Sequence, residues 1–273
     1  MIRESDAIKY LIAYGYLPER ATSSVAKNGK KLVEAAKTFQ RVAGVDQSGE
    51  LDRRTLKAME MPRCGVPDFV RRDGPAKWPA RDWAANPIKY GFERFLPGIT
   101  NAVQRELFAK AVEDWNVAVG LPLAREARKS ERVDVVVSTG AGKRDNFDGP
   151  GRTLAWAYVA GDLMRFDEAE DWERDVSYQG VACHEWGHIL GLDHSTIDAA
   201  LMAPFANRKI ISPKSPDDVE EGKKRYPGGG TIKPTPTTPA ASFALTFDQD
   251  RFAARIAGGQ IIFDAIRKSR KPR

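Results

Sequence analysis

The run His184-Glu185-Trp186-Gly187-His188-Ile189-Leu190-Gly191-Leu192-Asp193-His194 contains every histidine of the chain. His184 and His188 stand four apart, so a helix projects both imidazoles from one face toward one point. Glu185 is offset by one residue and reaches a water held at that point. Gly191 can end the helix with positive φ, which glycine adopts at little cost. The chain then turns back and delivers His194 as a third nitrogen ligand. Three nitrogens suit zinc, and an open fourth position marks a catalytic rather than a structural site. Two histidines four apart would be a weak signal, equally met by a helix with surface histidines. The added glycine and third histidine make it a strong one.

Two further segments bear on the same site. Ala200-Leu201-Met202-Ala203-Pro204 reads as a tight turn, in which Met202 taken alone would be ordinary core filling. Upstream lies Pro62-Arg63-Cys64-Gly65-Val66-Pro67-Asp68. A thiolate is a good zinc ligand, and zinc lowers the pKa of a thiol that binds it. A cysteine on such a segment could take the fourth position and displace the catalytic water. The glycine and prolines around it argue against the usual reading of a lone cysteine as a small core residue.

On these residues the chain resembles the matrix metalloproteinases, or matrixins, of the metzincin clan. The histidine run fits H-E-x-x-H-x-x-G-x-x-H, and residues 62–68 match the family's cysteine-switch motif at every position. The resemblance implies an α+β fold: a metzincin catalytic domain, with a twisted mixed sheet and three helices, preceded by a small three-helix peptidoglycan-binding-like prodomain. It also implies that Met202 and Pro204 lie under the site and that Cys64 holds the zinc in a latent form.

Residues 1–61 read as that helical unit. Apolar residues recur at helical spacing in Asp6–Ile12 and Leu32–Gln40, and Asp52 is placed to cap a third helix over Arg53–Met59. Residues 62–85 hold the switch segment and an exposed, charged connector, where activating cleavage is expected. Residues 86–227 form the catalytic domain. Within it, strands are expected at Ile88–Phe92 and Val133–Val137, and a helix over Ala102–Val119 with Phe108, Ala111, Val112, Trp115 and Val119 on one face. Arg208–Lys214 should bound the specificity pocket. Ser215-Pro216-Asp217-Asp218 starts a last helix that runs to about Arg225. Residues 228–242 read as a Gly/Pro/Thr linker. Residues 243–273 are a tail, a docking helix or a hairpin, with a basic solvated end.

The segment Asp148–Tyr158 resembles the matrixin F-D-G-P-G loop and the strand after it. The resemblance implies that this strand borders the cleft and pairs with extended substrate, Leu154 and Ala155 supplying the backbone bonds. It implies calcium held by Asp148, the carbonyls of Gly149, Gly151 and Thr153, and the carboxylates of Asp167 and Glu170, an oxygen-only set. Matrixins usually hold a second, structural zinc. The corresponding positions are Ala141, Lys143, Trp156 and Arg165, so one zinc per chain is expected.

Composition adds bounds. At 273 residues the chain suits one medium and one small domain, and 42% hydrophobic residues suffice for a core. A net charge of +6 is modest and spread out, which argues against a nucleic-acid partner. No stretch is apolar enough to span a bilayer. The start, Met1-Ile2-Arg3-Glu4-Ser5, lacks the apolar region of a secretory signal, in tension with the extracellular location that the resemblance implies. Two cysteines make no disulfide framework, and Cys183, next to His184 on the helix, should point into the core.

The expected activity is zinc-dependent hydrolysis of peptide bonds in extracellular or matrix-type proteins by a monomer made as a zymogen. Glu185 acts as general base on the zinc water. The alternative is a cell-wall or matrix binding protein that uses the N-terminal module.

Overall fold

The computed structural model describes residues 2–18, 29–69, 77–172 and 177–230, and the backbone of 252–257 and 260–265. The chain divides into two units, Met1–Ile232 and Lys233–Arg273.

In the first unit the N-terminal residues form α1 (Glu4–Ala13), α2 (Lys30–Val42) and α3 (Arg53–Ala58). The helical spacing of their apolar residues produces one small core from Ile8, Leu11, Leu17, Phe39, Ala58 and Met59. Asp52 caps α3 as expected, accepting the Thr55 N–H at 2.8 Å. The turn before it is fixed by Gln40, which is wholly buried. Its Nε2 lies 2.8–2.9 Å from Ser48 Oγ, Glu50 O and Thr55 Oγ1, and its Oε1 accepts the Gly49 N–H at 2.9 Å.

The rest of the unit is a sheet with helices packed on it. The strands are β1 (Arg63–Cys64), β2 (Ile88–Phe92), β3 (Ala124–Glu126), β4 (Val135–Gly140), β5 (Thr153–Ala157) and β6 (Leu163–Asp167). Their order across the sheet is β1-β5-β6-β4-β2-β3, and every neighbouring pair is parallel except β5–β6. Three helices complete it: α4 (Asn101–Val119), α5 (Tyr178–Ile189) and α6 (Pro216–Arg225). This is the mixed α+β arrangement expected. β4 begins two residues later than its alternation suggests, and Asp134 just before it bonds twice to Lys89 of β2. Its N–H reaches Lys89 O at 2.7 Å and its carboxylate accepts the Lys89 N–H at 2.9 Å.

α4 starts at Thr100, whose hydroxyl accepts the Val103 N–H, and stops at Gly120 in the left-handed region, φ +79°. Its face of Phe108, Ala111, Val112, Trp115 and Val119 is buried, as the sequence pattern requires. Each such large side chain contributes about 1.5–3 kcal/mol of burial. Trp115 Nε1–H donates to Cys183 O at 2.8 Å and ties α4 to α5. Cys183 itself is fully buried, its sulfur 3.4 Å from Ala111 O.

Two expectations need correction. Ser215 stands at the N-cap of α6, yet its hydroxyl makes no capping bond. Gly228–Gly230, read as the start of a linker, are docked: Gly230 N–H bonds Gly120 O at 3.1 Å. The approach is so close that a Cβ on Gly120 would meet Gly230 O at 1.9 Å.

In the second unit β7 (Phe252–Ala257) and β8 (Gln260–Ala265) pair antiparallel, so this part of the tail is a hairpin rather than a helix. The connector residues 70–76, the linker residues 231–242 and the basic end Arg267–Lys271 lie outside the described residues. Among the described residues no helix is long and apolar enough to cross a membrane.

Candidate metal centre

α5 carries the site. Ser177 caps it by accepting the Gly180 N–H at 3.2 Å, and every residue from Ala182 to Leu192 is buried. The helix ends after Ile189, and Gly191 takes φ +94°. Bonds from Gly191 N to His188 O (2.7 Å) and Leu192 N to Gly187 O (3.0 Å) close the turn that swings His194 back. The three ring centroids then lie 4.8–5.3 Å apart. A tetrahedral zinc bonded at about 2.0–2.1 Å spaces its nitrogens about 3.3 Å apart. His188 Nε2 and His194 Nε2 are 3.2 Å apart.

The tautomers follow from the outer hydrogen bonds. Carbonyls only accept, so the Nδ1–H of His184 donates to Leu201 O (2.7 Å) and that of His188 to Leu192 O (2.8 Å). Each Nε2 lone pair is thereby turned inward, and His184 Nε2 is buried without a partner. Burial pulls the His184 pKa down to about 3, which keeps the ring neutral and ready to ligate. Glu185 is wholly buried, with no nitrogen or oxygen donor on either carboxylate oxygen and the Cys64 thiol beside it. Burial pushes its pKa up to about 8. A donor set of imidazoles with an orphaned nitrogen, beside a buried carboxylate, fits a cation at the centre.

Cys64 completes the cluster. Its sulfur is 3.5 Å from His188 Nε2, and the ligand atoms of Cys64, His184, His188 and His194 all lie within 4.8 Å of one another. Burial, with Glu185 alongside, holds the thiol pKa well above its ordinary value when no cation is bound. The segment bearing Cys64 lies as a strand between two walls. On one side Arg63 N–H bonds Arg152 O (2.7 Å) and Gly65 N–H bonds Ala155 O (2.8 Å). On the other, Cys64 N–H bonds Pro204 O (3.0 Å) and Ala206 N–H bonds Pro62 O (2.9 Å). A cavity of about 220 Å³ opens beside it, bounded by Leu154, Val181, Leu201, Phe205, Arg208 and Ile210 among others.

A family profile described as "Matrixin" matches residues 82–226, more than half of the chain. The chain is a matrixin. A second profile, "Putative peptidoglycan binding domain", matches residues 6–59. This matrixin is 32% identical to the neutrophil collagenase of Homo sapiens over 272 residues, covering 93% of this chain and 56% of that protein. It is 33% identical to the interstitial collagenase of Bos taurus (87% of this chain, 52% of that one). Against matrix metalloproteinase-16 of Rattus norvegicus the identity is 31% (84% and 42%). The chain thus spans about half the length of the relatives it matches.

Within the matrixin, Met202 lies under α5 and is 1% exposed. Gly187 makes that possible: a Cβ there would meet Met202 Sδ at 2.3 Å. The turn is pinned by Asp218, whose carboxylate accepts the N–H groups of Leu201 (2.7 Å) and Met202 (3.0 Å). Sequence reasoning gave Asp218 only the role of an acid at a helix start. Nothing in its local pattern marks it as the anchor of a turn some sixteen residues away.

The positions that correspond to a second zinc hold a different device. The Arg165 guanidinium pairs with Asp145, and Asp145 also accepts the Ala141 N–H at 3.1 Å. Trp156 Nε1–H donates to Asp145 O at 2.9 Å, and Arg165 stands 5.8 Å over the Trp156 ring. Phe147 and Trp156, so held, pack against Cys64 and Val66. Asp145 is here surrounded by a guanidinium, an indole N–H and a backbone N–H.

The residues expected to hold calcium converge only in part. Asp148 accepts the Thr153 N–H (3.1 Å) and pairs with Arg152 (2.8 Å), and Glu170 accepts the Gly151 N–H (2.7 Å). Gly149 and Gly151 both take positive φ, +86° and +100°. Asp167 is wholly buried with one oxygen unpartnered, and burial raises its pKa. Among the described residues these carboxylates do not close into a cluster as the Cys64 and histidine groups do.

Proposed function

We propose that this matrixin is a zinc-dependent endopeptidase made as a latent zymogen, cleaving extracellular or matrix-type proteins. The observation that carries the reading is the Cys64 sulfur among the three imidazoles, on a segment that fills the strand position beside β5. His184, His188 and His194 would hold one zinc, Cys64 its fourth position in the latent state. Zinc, when bound, acidifies a water and polarises a carbonyl. Glu185, buried and with a raised pKa, takes the proton from the attacking water and returns it to the leaving amine. Leu154 and Ala155 on β5 pair with an extended substrate once residues 62–65 leave, and the cavity takes a side chain next to the scissile bond. Asp148, Asp167 and Glu170, with the carbonyls of Gly149, Gly151 and Thr153, hold calcium; the unpartnered buried oxygen of Asp167 supports that reading.

The test is peptidase activity on a quenched peptide before and after a thiol-reactive mercurial, with zinc counted in both states. The expected result is latency relieved by the mercurial with one zinc retained. Cys64→Ser should be active untreated, and Glu185→Ala should keep zinc and lose activity. Full activity of the untreated intact chain would overturn the latency, and an active Glu185→Ala protein the mechanism. The profile match over residues 6–59 also favours a cell-wall role for the prodomain, read out by binding to purified sacculi.

A further inference from the structure

The three imidazoles do not draw their outer hydrogen bonds from the same part of the chain. His184 and His188 bond to Leu201 O and Leu192 O, both within the catalytic domain. His194 bonds instead to the prosegment: its Nδ1 lies 2.8 Å from Asp68 Oδ1. Both side chains are 3% exposed, so water does not compete for that bond. Asp68 is itself held in place by three contacts. The buried Arg63 guanidinium pairs with it, the Tyr16 hydroxyl donates to it, and its backbone N–H reaches Tyr14 O at 3.0 Å. Gly15, with φ +80°, lets the α1 turn sit directly on this segment: a Cβ there would meet Phe69 O at 2.1 Å.

A carboxylate on the outer nitrogen of a ligating imidazole fixes its tautomer and orientation and raises its basicity, and losing such a partner weakens metal binding by about 10–100-fold. We propose that Asp68 is a positioning residue for the metal centre, so that the docked prosegment retains the metal through His194 as well as through Cys64. The inference rests on the zinc reading above. Departure of the prosegment removes both contributions together, leaving two imidazoles supported by carbonyls and the third without its carboxylate. The prosegment is then a device for loading and keeping the metal in addition to a plug.

The experiment uses the full chain with Cys64→Ser, to remove the thiolate, and Glu185→Ala, to prevent self-cleavage. Zinc affinity is measured by competition with a chromophoric chelator, with and without Asp68→Asn. The expected loss is about 10–100-fold. Asp46→Asn, which removes an exposed carboxylate paired with Arg54 on the surface of the helical unit, should leave zinc affinity unchanged. Because the chain has three histidines, their ring resonances can be followed one by one. Asp68→Asn should move the His194 Nδ1–H signal and leave those of His184 and His188 in place. Unchanged zinc affinity with an unmoved His194 signal would overturn the inference alone. Failure of every variant to bind zinc would instead defeat the zinc reading on which it rests.

Discussion

Asp218→Ala should be among the most damaging single changes in the catalytic domain that spare every metal-facing side chain. The Asp218 carboxylate is 1% exposed and accepts two backbone N–H groups, from Leu201 and Met202. A hydrogen bond to a charged group contributes about 1.5–3 kcal/mol, and a buried donor left unpaired costs a similar amount. Removing both bonds therefore costs about 3–6 kcal/mol. Burial holds the carboxyl above its ordinary pKa even though the two amides pull it down, so some desolvation cost is recovered on removal. The lower end of the range follows. Asp218→Asn keeps one acceptor oxygen and should cost about half as much. Urea unfolding of the zinc-loaded chain, followed by tryptophan fluorescence, measures both. The change should also be felt at the metal, because Leu201 O orients His184; the Ala variant should lose zinc to a chelator sooner. If Asp218 served only as an acid at a helix N-terminus, both variants would cost about 0.3–1 kcal/mol. Equal small losses from Ala and Asn, with zinc retention unaltered, would refute the anchoring argument.

Gly187→Ala forces a methyl group against Met202 Sδ and, at 2.9 Å, against Trp115; an overpacking loss of about 1–3 kcal/mol should appear as a lower urea midpoint. Arg165→Met removes the closer of the two guanidiniums on the Asp145 carboxylate, Arg144 at 4.0 Å being the other, and should lower the urea midpoint, and the double variant with Asp145→Asn should lose less than the sum of the singles. Phe205 meets Phe39 edge-on at 6.3 Å and lies 5.1 Å from the Arg63 guanidinium. Phe205→Ala should loosen residues 62–68 by about 1–2 kcal/mol, and mass spectrometry of thiol labelling should show Cys64 modified faster while Cys183 stays protected.

The sequence alone carried the parts of this protein whose physics is local. Residues 184–194 encode a helix, a glycine stop and a return in consecutive positions, so the meeting of three imidazoles could be read before any fold was known. Cys64 was legible for a related reason: glycine and prolines around a thiol argue against an ordinary core position, although the fold also packs it beside Val66, Phe147 and Trp156. The buried face of α4 and the Asp52 cap follow from periodicity and from one side chain reaching three residues along. The tertiary structure decided what depends on groups distant in the chain. Asp218 beneath the Met202 turn, Asp145 facing Arg165, and Asp68 on His194 are carboxylates whose partners are set by packing. In sequence each is one acid among 37 Asp and Glu residues, most of them indistinguishable from solvated surface. A carboxylate declares its role only when burial removes water and leaves it one partner, and burial is a property of the assembled fold.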